Sequence, residues 1–135
     1  MTATIRAEQL LAHPPARVWR ALTEPELLSR WLMPTTFRAE LGARFTFDTG
    51  KWGLVEGEVL ALEPERLLRI SWKNPALDTT VTWRLQPEGE GTRLFLEHDG
   101  FDLDQPMQRF AFESMGGGWS GPVAARLAEV VASLG

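Results

Sequence analysis

The stretch Pro14–Pro34, PPARVWRALTEPELLSRWLMP, decides how the rest of the chain is read. Val18, Trp19 and Leu22 form an i, i+1, i+4 apolar stripe, and Pro15 suits a first helical turn, where its missing N–H leaves no bond unmade. Thr23-Glu24-Pro25-Glu26 has the spacing of a capping box, with Thr23 as the cap and Glu26 three residues on. Leu27, Leu28, Trp31 and Leu32 then make the apolar face of a second helix, which Pro34 ends. One strand precedes this helix pair, sheet follows for most of the chain, and a last helix closes it. That order implies an α+β fold. A curved antiparallel sheet wraps around a long C-terminal helix, with a cavity between them.

Working outward, Thr4–Leu11 reads as the first strand, with Ile5, Ala7, Gln9 and Leu11 opposite Arg6, Glu8 and Leu10. Phe37–Phe47 reads as a hairpin arm or two short strands bent at Gly42, with Phe45 and Phe47 on one face. Leu54–Leu62 is the next strand. Leu67–Lys73 alternates Leu68, Ile70 and Trp72 against Arg69, Ser71 and Lys73. Thr79–Gln86 puts Val81, Trp83 and Leu85 on one face, and Thr92–Asp99 does the same with Leu94, Leu96 and His98. Gly100–Pro106 reads as a loop and Met107–Met115 as helix. The glycines 116–118 are expected to interrupt or kink that helix. Trp119, Val123, Leu127, Val130 and Leu134 then recur at helical spacing, and Pro122 fits only near a start or a kink.

Composition excludes several functions. The chain has 135 residues, 44% hydrophobic and 24% charged, as in an ordinary globular domain. A net charge of −4 argues against nucleic acid as a partner, which needs a basic face. No apolar run is long enough for a membrane span. MTATIRAEQLL lacks a basic region followed by an apolar one, so no signal peptide is expected. There are no cysteines, which removes disulfides, thiolate catalysis and thiolate metal sites together, and a cytoplasmic location is expected. Two histidines 85 positions apart, His13 and His98, give a metal no obvious site. Gly116–Gly121 formally fits G-x-G-x-x-G, but it follows a helix, not a strand, and the acidic partner about 20 residues on is missing. Gly118-Trp119-Ser120-Gly121-Pro122 falls short of a nucleophile elbow at its fifth position. No cofactor is read from the sequence.

Several short runs in order carry a resemblance. They are Arg17-Val18-Trp19-Arg20-Ala21-Leu22-Thr23, Pro25-Glu26-Leu27-Leu28, Trp31-Leu32, Gly57-Glu58-Val59, and Pro64 and Leu67 before Ile70-Ser71-Trp72. Thr80-Val81-Thr82-Trp83, Gly91-Thr92-Arg93-Leu94, His98 with Gly100-Phe101, and Gly118-Trp119 before Ala125-Arg126-Leu127 continue the series. The chain resembles the START-like (SRPBCC, Bet v 1-like, helix-grip) superfamily, and most of all the branch named for the activator of the heat-shock-protein-90 ATPase. The resemblance runs along the whole chain. It implies one domain over residues 1–135, in which the sheet grips the C-terminal helix over an apolar cavity.

In such a cavity fold, the face carrying Leu94, Leu96 and His98 lines the pocket. The candidate ligand-binding residues are Phe45, Phe47, Trp72, Trp83, His98, Met115, Trp119 and Val123, with Met33 and Met107 flanking the mouths. Many aromatics and few polar groups suit an apolar ligand, and they equally suit a filled core. The expected function is a small-molecule binding protein for an apolar or aromatic ligand. The alternatives are a cyclase- or dehydratase-like enzyme using His98 as acid/base in the same cavity, and a co-chaperone-like interaction module. Association as a homodimer stays open.

Overall fold

From Arg44 to Asp102 the chain turns back on itself strand after strand. The computed structural model describes residues 2–134; Met1 and Gly135, the ends of the expected 1–135 domain, lie outside the described residues. In chain order the elements are β1 (Thr2–Leu11), α1 (Pro15–Thr23), α2 (Pro25–Trp31), β2 (Arg44–Asp48), β3 (Leu54–Glu63), β4 (Leu67–Asn74), β5 (Leu77–Glu88), β6 (Gly91–Asp102), α3 (Pro106–Ser120) and α4 (Pro122–Ser133). The six strands form one antiparallel sheet ordered β1-β6-β5-β4-β3-β2. The β2–β6 part is a meander, and β1 crosses over to pair with β6. The helices lie against this sheet, with α4 on α1 and α2, and α3 on β1 and β6. This is the expected helix-grip arrangement.

Alternation fixes the register. Leu68, Ile70 and Trp72 of β4 lie opposite Trp83, Val81 and Thr79 of β5, and Val81 and Trp83 lie opposite His98 and Leu96 of β6. All eight of these side chains are buried. Val18, Leu22, Leu28 and Trp31 close the core from the helix pair. Each fully buried aliphatic or aromatic side chain of this kind is worth about 1.5–3 kcal/mol of transfer free energy. Polar bonds fix the helices in place. The Trp31 indole N–H donates to the Ala21 carbonyl at 2.8 Å, and Arg126 Nε on α4 donates to the Trp31 carbonyl at 3.1 Å. Gln9 Nε2 on β1 donates to the Ala124 carbonyl at 2.8 Å.

Three expectations need correction. The first concerns the cap of α2. Thr23 is the last residue of α1, and its hydroxyl donates back to the Trp19 carbonyl at 2.8 Å. A threonine inside a helix has that i−4 carbonyl within reach, so the capping box does not form. The cap position belongs to Glu24, with no side-chain bond.

Secondly, the strand read as ending at Asp99 continues to Asp102. Gly100 is the reason the pattern broke. It sits at φ +102° where Ala3 pairs with Phe101 and Thr4 with Asp99, so it is the extra residue of a bulge. A Cβ there would lie 3.2 Å from the Asp78 carbonyl oxygen. Beyond the bulge, Phe101 is fully buried.

Finally, the C-terminal helix breaks at Gly121, not at the glycine triplet. Pro122 has no N–H and pushes the residue before it out of helical conformation, and Gly121 sits at φ −114°, ψ −105°. Helix α3 runs unbroken through Gly116–Gly118. Each of those glycines costs about 1 kcal/mol in helix propensity relative to alanine, and a Cβ on any of them would meet no atom within 4 Å. Close packing therefore does not explain them.

Candidate ligand-binding site

Six of the eight candidate residues lie in one continuous row of rings. Phe45 meets Phe47 at 5.4 Å between centroids, Phe47 meets Trp72 at 5.2 Å, and Trp72 meets both His98 at 5.5 Å and Trp119 at 5.9 Å. Trp119 goes on to Trp83 at 6.0 Å, and Trp83 to Trp31 at 6.4 Å. Most of these pairs are edge-to-face, the arrangement that the ring quadrupole favours. All six side chains are buried, so this part of the interior is filled by protein.

His98 is the polar centre of that row. The Trp119 Nε1–H can only donate, and it lies 3.1 Å from His98 Nδ1. Nδ1 is therefore the acceptor and the ring proton sits on Nε2, which donates to Thr79 Oγ1 at 2.8 Å. The Thr79 hydroxyl donates in turn to the Trp72 carbonyl at 2.8 Å. One chain of bonds thus links α3, β6, β5 and β4. Burial pushes the His98 pKa down to about 3, against a small upward effect of the neighbouring Asp99 carboxylate. The imidazole is neutral at physiological pH and both nitrogens are occupied, so the acid/base role in the enzyme alternative has no free group here.

The remaining candidates sit at two separate openings. The larger is a cleft of about 430 Å³ along one side of α3. Helix α3 contributes Met107, Phe110, Ala111, Ser114 and Met115, which recur at i, i+3, i+4, i+7 and i+8 and so share one face. The facing wall is Val55 of β3, Trp72 of β4, Leu77 of β5 and the β4–β5 turn, with Met33 and Thr49 at the side. Asn74 shapes that turn, because its Oδ1 accepts the backbone N–H groups of Ala76 and Leu77, both at 2.8 Å. Among the described residues, no Lys, Arg, His, Asp or Glu lines the cleft. Met107 is 62% exposed and Phe110 59%, large values for apolar side chains. The smaller opening, about 140 Å³, lies between β1 and α4 and is lined by Trp83, Trp119 and Val123 among others.

Trp72 and Met115 therefore meet at the larger cleft, and Trp83, Trp119 and Val123 at the smaller one. Phe47 and His98 line neither, and Phe45 borders an open groove of about 450 Å³ with Gly57 and Ser71, whose walls also carry Arg44, Glu56, Glu58 and Lys73. Sequence reasoning missed Phe110, Ala111, Ser114, Val55, Leu77 and the Asn74–Ala76 turn. The helical spacing of Met107, Phe110, Ala111, Ser114 and Met115 was a legible signal for the first three. Among the described residues, no group of three or more His, Asp and Glu side chains converges as a metal site, and no helix is long and apolar enough to cross a membrane.

Residues 12–132 match the family described as activator of Hsp90 ATPase homolog 1-like protein. No curated protein matches the chain. Among solved structures, protein MLL2253 from Mesorhizobium loti is 35% identical with a TM-score of 0.86, covering 98% of this chain and 99% of that one. Protein BH1534 from Bacillus halodurans is 26% identical with a TM-score of 0.82, covering 97% of this chain and 99% of that one. DynU16, a protein in the dynemicin biosynthetic locus, is 23% identical with a TM-score of 0.80, covering 96% of this chain and 47% of that one, which is a likeness of fold. With its strand, helix pair, meander and closing helices in this order, and with nearly all of its length matched, the chain belongs to the activator of Hsp90 ATPase homolog 1-like family of the START-like superfamily.

Proposed function

We propose that this protein binds an apolar or aromatic small molecule in the cleft between α3 and the β4–β5 end of the sheet, acting as a single START-like domain. The observation that carries the reading is the cleft itself, about 430 Å³, walled by Trp72, Leu77, Phe110 and three methionines without a charged side chain. That volume falls in the range of small-molecule sites. Met33, Met107 and Met115 suit ligands of varied shape, since methionine is flexible and polarisable. Apolar burial drives binding, at about 25 cal/mol per Å² before ordering costs. The polar donors at hand are the amide nitrogen of Asn74 and the hydroxyl of Ser114, enough to orient a ligand with one or two acceptors.

Native mass spectrometry on gently purified protein, against a denatured control, tests this directly. A bound mass that is lost on denaturation, together with a thermal shift from neutral polycyclic aromatics, is the expected result. A clean apo mass with no shift across fatty acids and polycyclic aromatics overturns it and turns attention to the surface.

A further inference from the structure

Three consecutive glycines in the interior of a helix need a reason. In α3 that reason is not space, because a Cβ on Gly116, Gly117 or Gly118 would touch nothing within 4 Å. What alanine would remove is backbone freedom. We propose that Pro106–Met115 is a strap that swings outward to admit ligand to the cleft, pivoting on Gly116–Gly118 while Trp119 stays fixed to His98. This rests on the cleft reading above.

The anchoring of α3 is uneven in the way such a strap requires. Trp119 is the one buried residue of α3, held by its bond to His98 at 3.1 Å and by ring contacts to Trp72 and Trp83. Beyond it, Gly121 ends the helix and α4 is tied to α2 and β1. The ten residues before the glycines are held more loosely. Gln108 Oε1 accepts the Asp102 backbone N–H at 2.7 Å, and Arg109 Nε donates to the Leu103 carbonyl at 3.1 Å. The Arg109 bond goes to the segment that leads directly into the helix and can travel with it, whereas the Gln108 bond ties the first turn of α3 to the last residue of β6. Phe112 adds one ring contact, 5.5 Å to Phe101. The pivot therefore lies between a fixed end and a loosely held end. The loosely held end carries Met107, Phe110, Ala111, Ser114 and Met115, the α3 wall of the cleft. Permissive backbone, an anchor on one side and the cleft wall on the other coincide within fifteen residues.

The test compares the full chain with a variant carrying Gly116→Ala, Gly117→Ala and Gly118→Ala. The probe is N-phenyl-1-naphthylamine, a neutral apolar fluorophore, followed by stopped flow. The alanines are expected to raise the thermal midpoint and to slow probe association and dissociation each tenfold or more, with Kd changed less than threefold. Gly117→Ala alone should move the rates in the same direction by a smaller factor. The chain has no cysteine, so spin labels can be placed cleanly at Glu113→Cys and Asp78→Cys. The native glycines should give a broad distance distribution that the three alanines narrow. Rates unchanged within twofold, or one narrow distance already present with the glycines, overturn the strap. The distances decide the pivot without any ligand. A protein that moves but binds no probe overturns the cleft and keeps the hinge; one that binds probe with a single narrow distance overturns the hinge and keeps the cleft.

Discussion

The aromatic row under β4–β6 and the cleft beside α3 are both largely apolar, and Trp72 belongs to both. In the row, ring edges meet ring faces at 5–6 Å and the polar tips of Trp119, His98 and Thr79 satisfy one another. In the cleft, the side chains facing Trp72 stand on a helix whose exposed Met107 and Phe110 have no ring partner among the described residues. Both sides of Trp72 are largely apolar, rings on one side and methionines and small side chains on the other. What differs is whether a second rigid element closes the gap. The row is backed by paired strands on one side and by anchored Trp119 on the other, whereas the cleft is backed on one side by half a helix with a glycine-rich end.

Truncation in the row should give the largest effect. Trp83→Ala removes a buried indole from a densely packed site, and a loss of about 3–5 kcal/mol is expected from urea unfolding. A loss below about 1 kcal/mol would mean that the row is not filled, and the comparison would fail.

Acid should give the next largest. His98 is neutral in the folded protein, with a pKa of about 3, while the unfolded chain protonates near 6.5. Between those values the unfolded state binds more protons, so stability is fully present above about pH 6.5 and is lost as pH falls towards 3. From pH 7.5 to pH 5 the loss from this one group is about 2 kcal/mol, and His98→Gln should flatten that part of the profile. An unchanged slope in the variant would assign the acid sensitivity to other groups.

Thr79→Val leaves the His98 Nε2–H without an acceptor while keeping the shape. The expected cost is about 1–2 kcal/mol, since a buried donor is left unmet. Phe110→Ser sharpens the contrast from the other side. Its ring is 59% exposed, so folding stability should shift by no more than about 0.5 kcal/mol. Affinity for a neutral aromatic probe should nonetheless fall about tenfold. An equal loss of stability in the two regions would erase the distinction between filled and open.

The order of elements was legible because period-2 and period-3.6 patterns are strong here: Leu68, Ile70 and Trp72 all turn inward, as do Val81, Trp83 and Leu85. The boundaries were less so. Thr23 looked like a cap, but its hydroxyl found the Trp19 carbonyl one turn back. Gly100 looked like a loop and is a bulge inside a strand. Gly116–Gly118 looked like the break, yet the proline at 122 decides it. For the site, residue identity placed Trp72 and Met115 on the cleft and could not separate them from Trp83, Trp119 and His98. That separation depends on which rings pack within 5–6 Å of one another, which no residue-type pattern encodes. The facing turn at Asn74–Ala76 was invisible for a similar reason, since a turn's contribution to a wall depends on what packs opposite.

The pairing of β1 with β6 has a consequence in time. Leu11 lies opposite Thr92 and Thr2 opposite Asp102, so partners are separated by roughly 80–100 residues, while every other pair of neighbouring strands is joined by a short turn. At synthesis rates of about 5–20 residues per second, the first strand leaves the ribosome on the order of 5–20 s before its partner exists. During that wait Arg6 and Glu8 put two charges on one face of the strand, which discourages a chance encounter with another unpaired edge. The sheet is thus completed by its oldest segment, and the delay is set by translation and not by the strength of the strand pair.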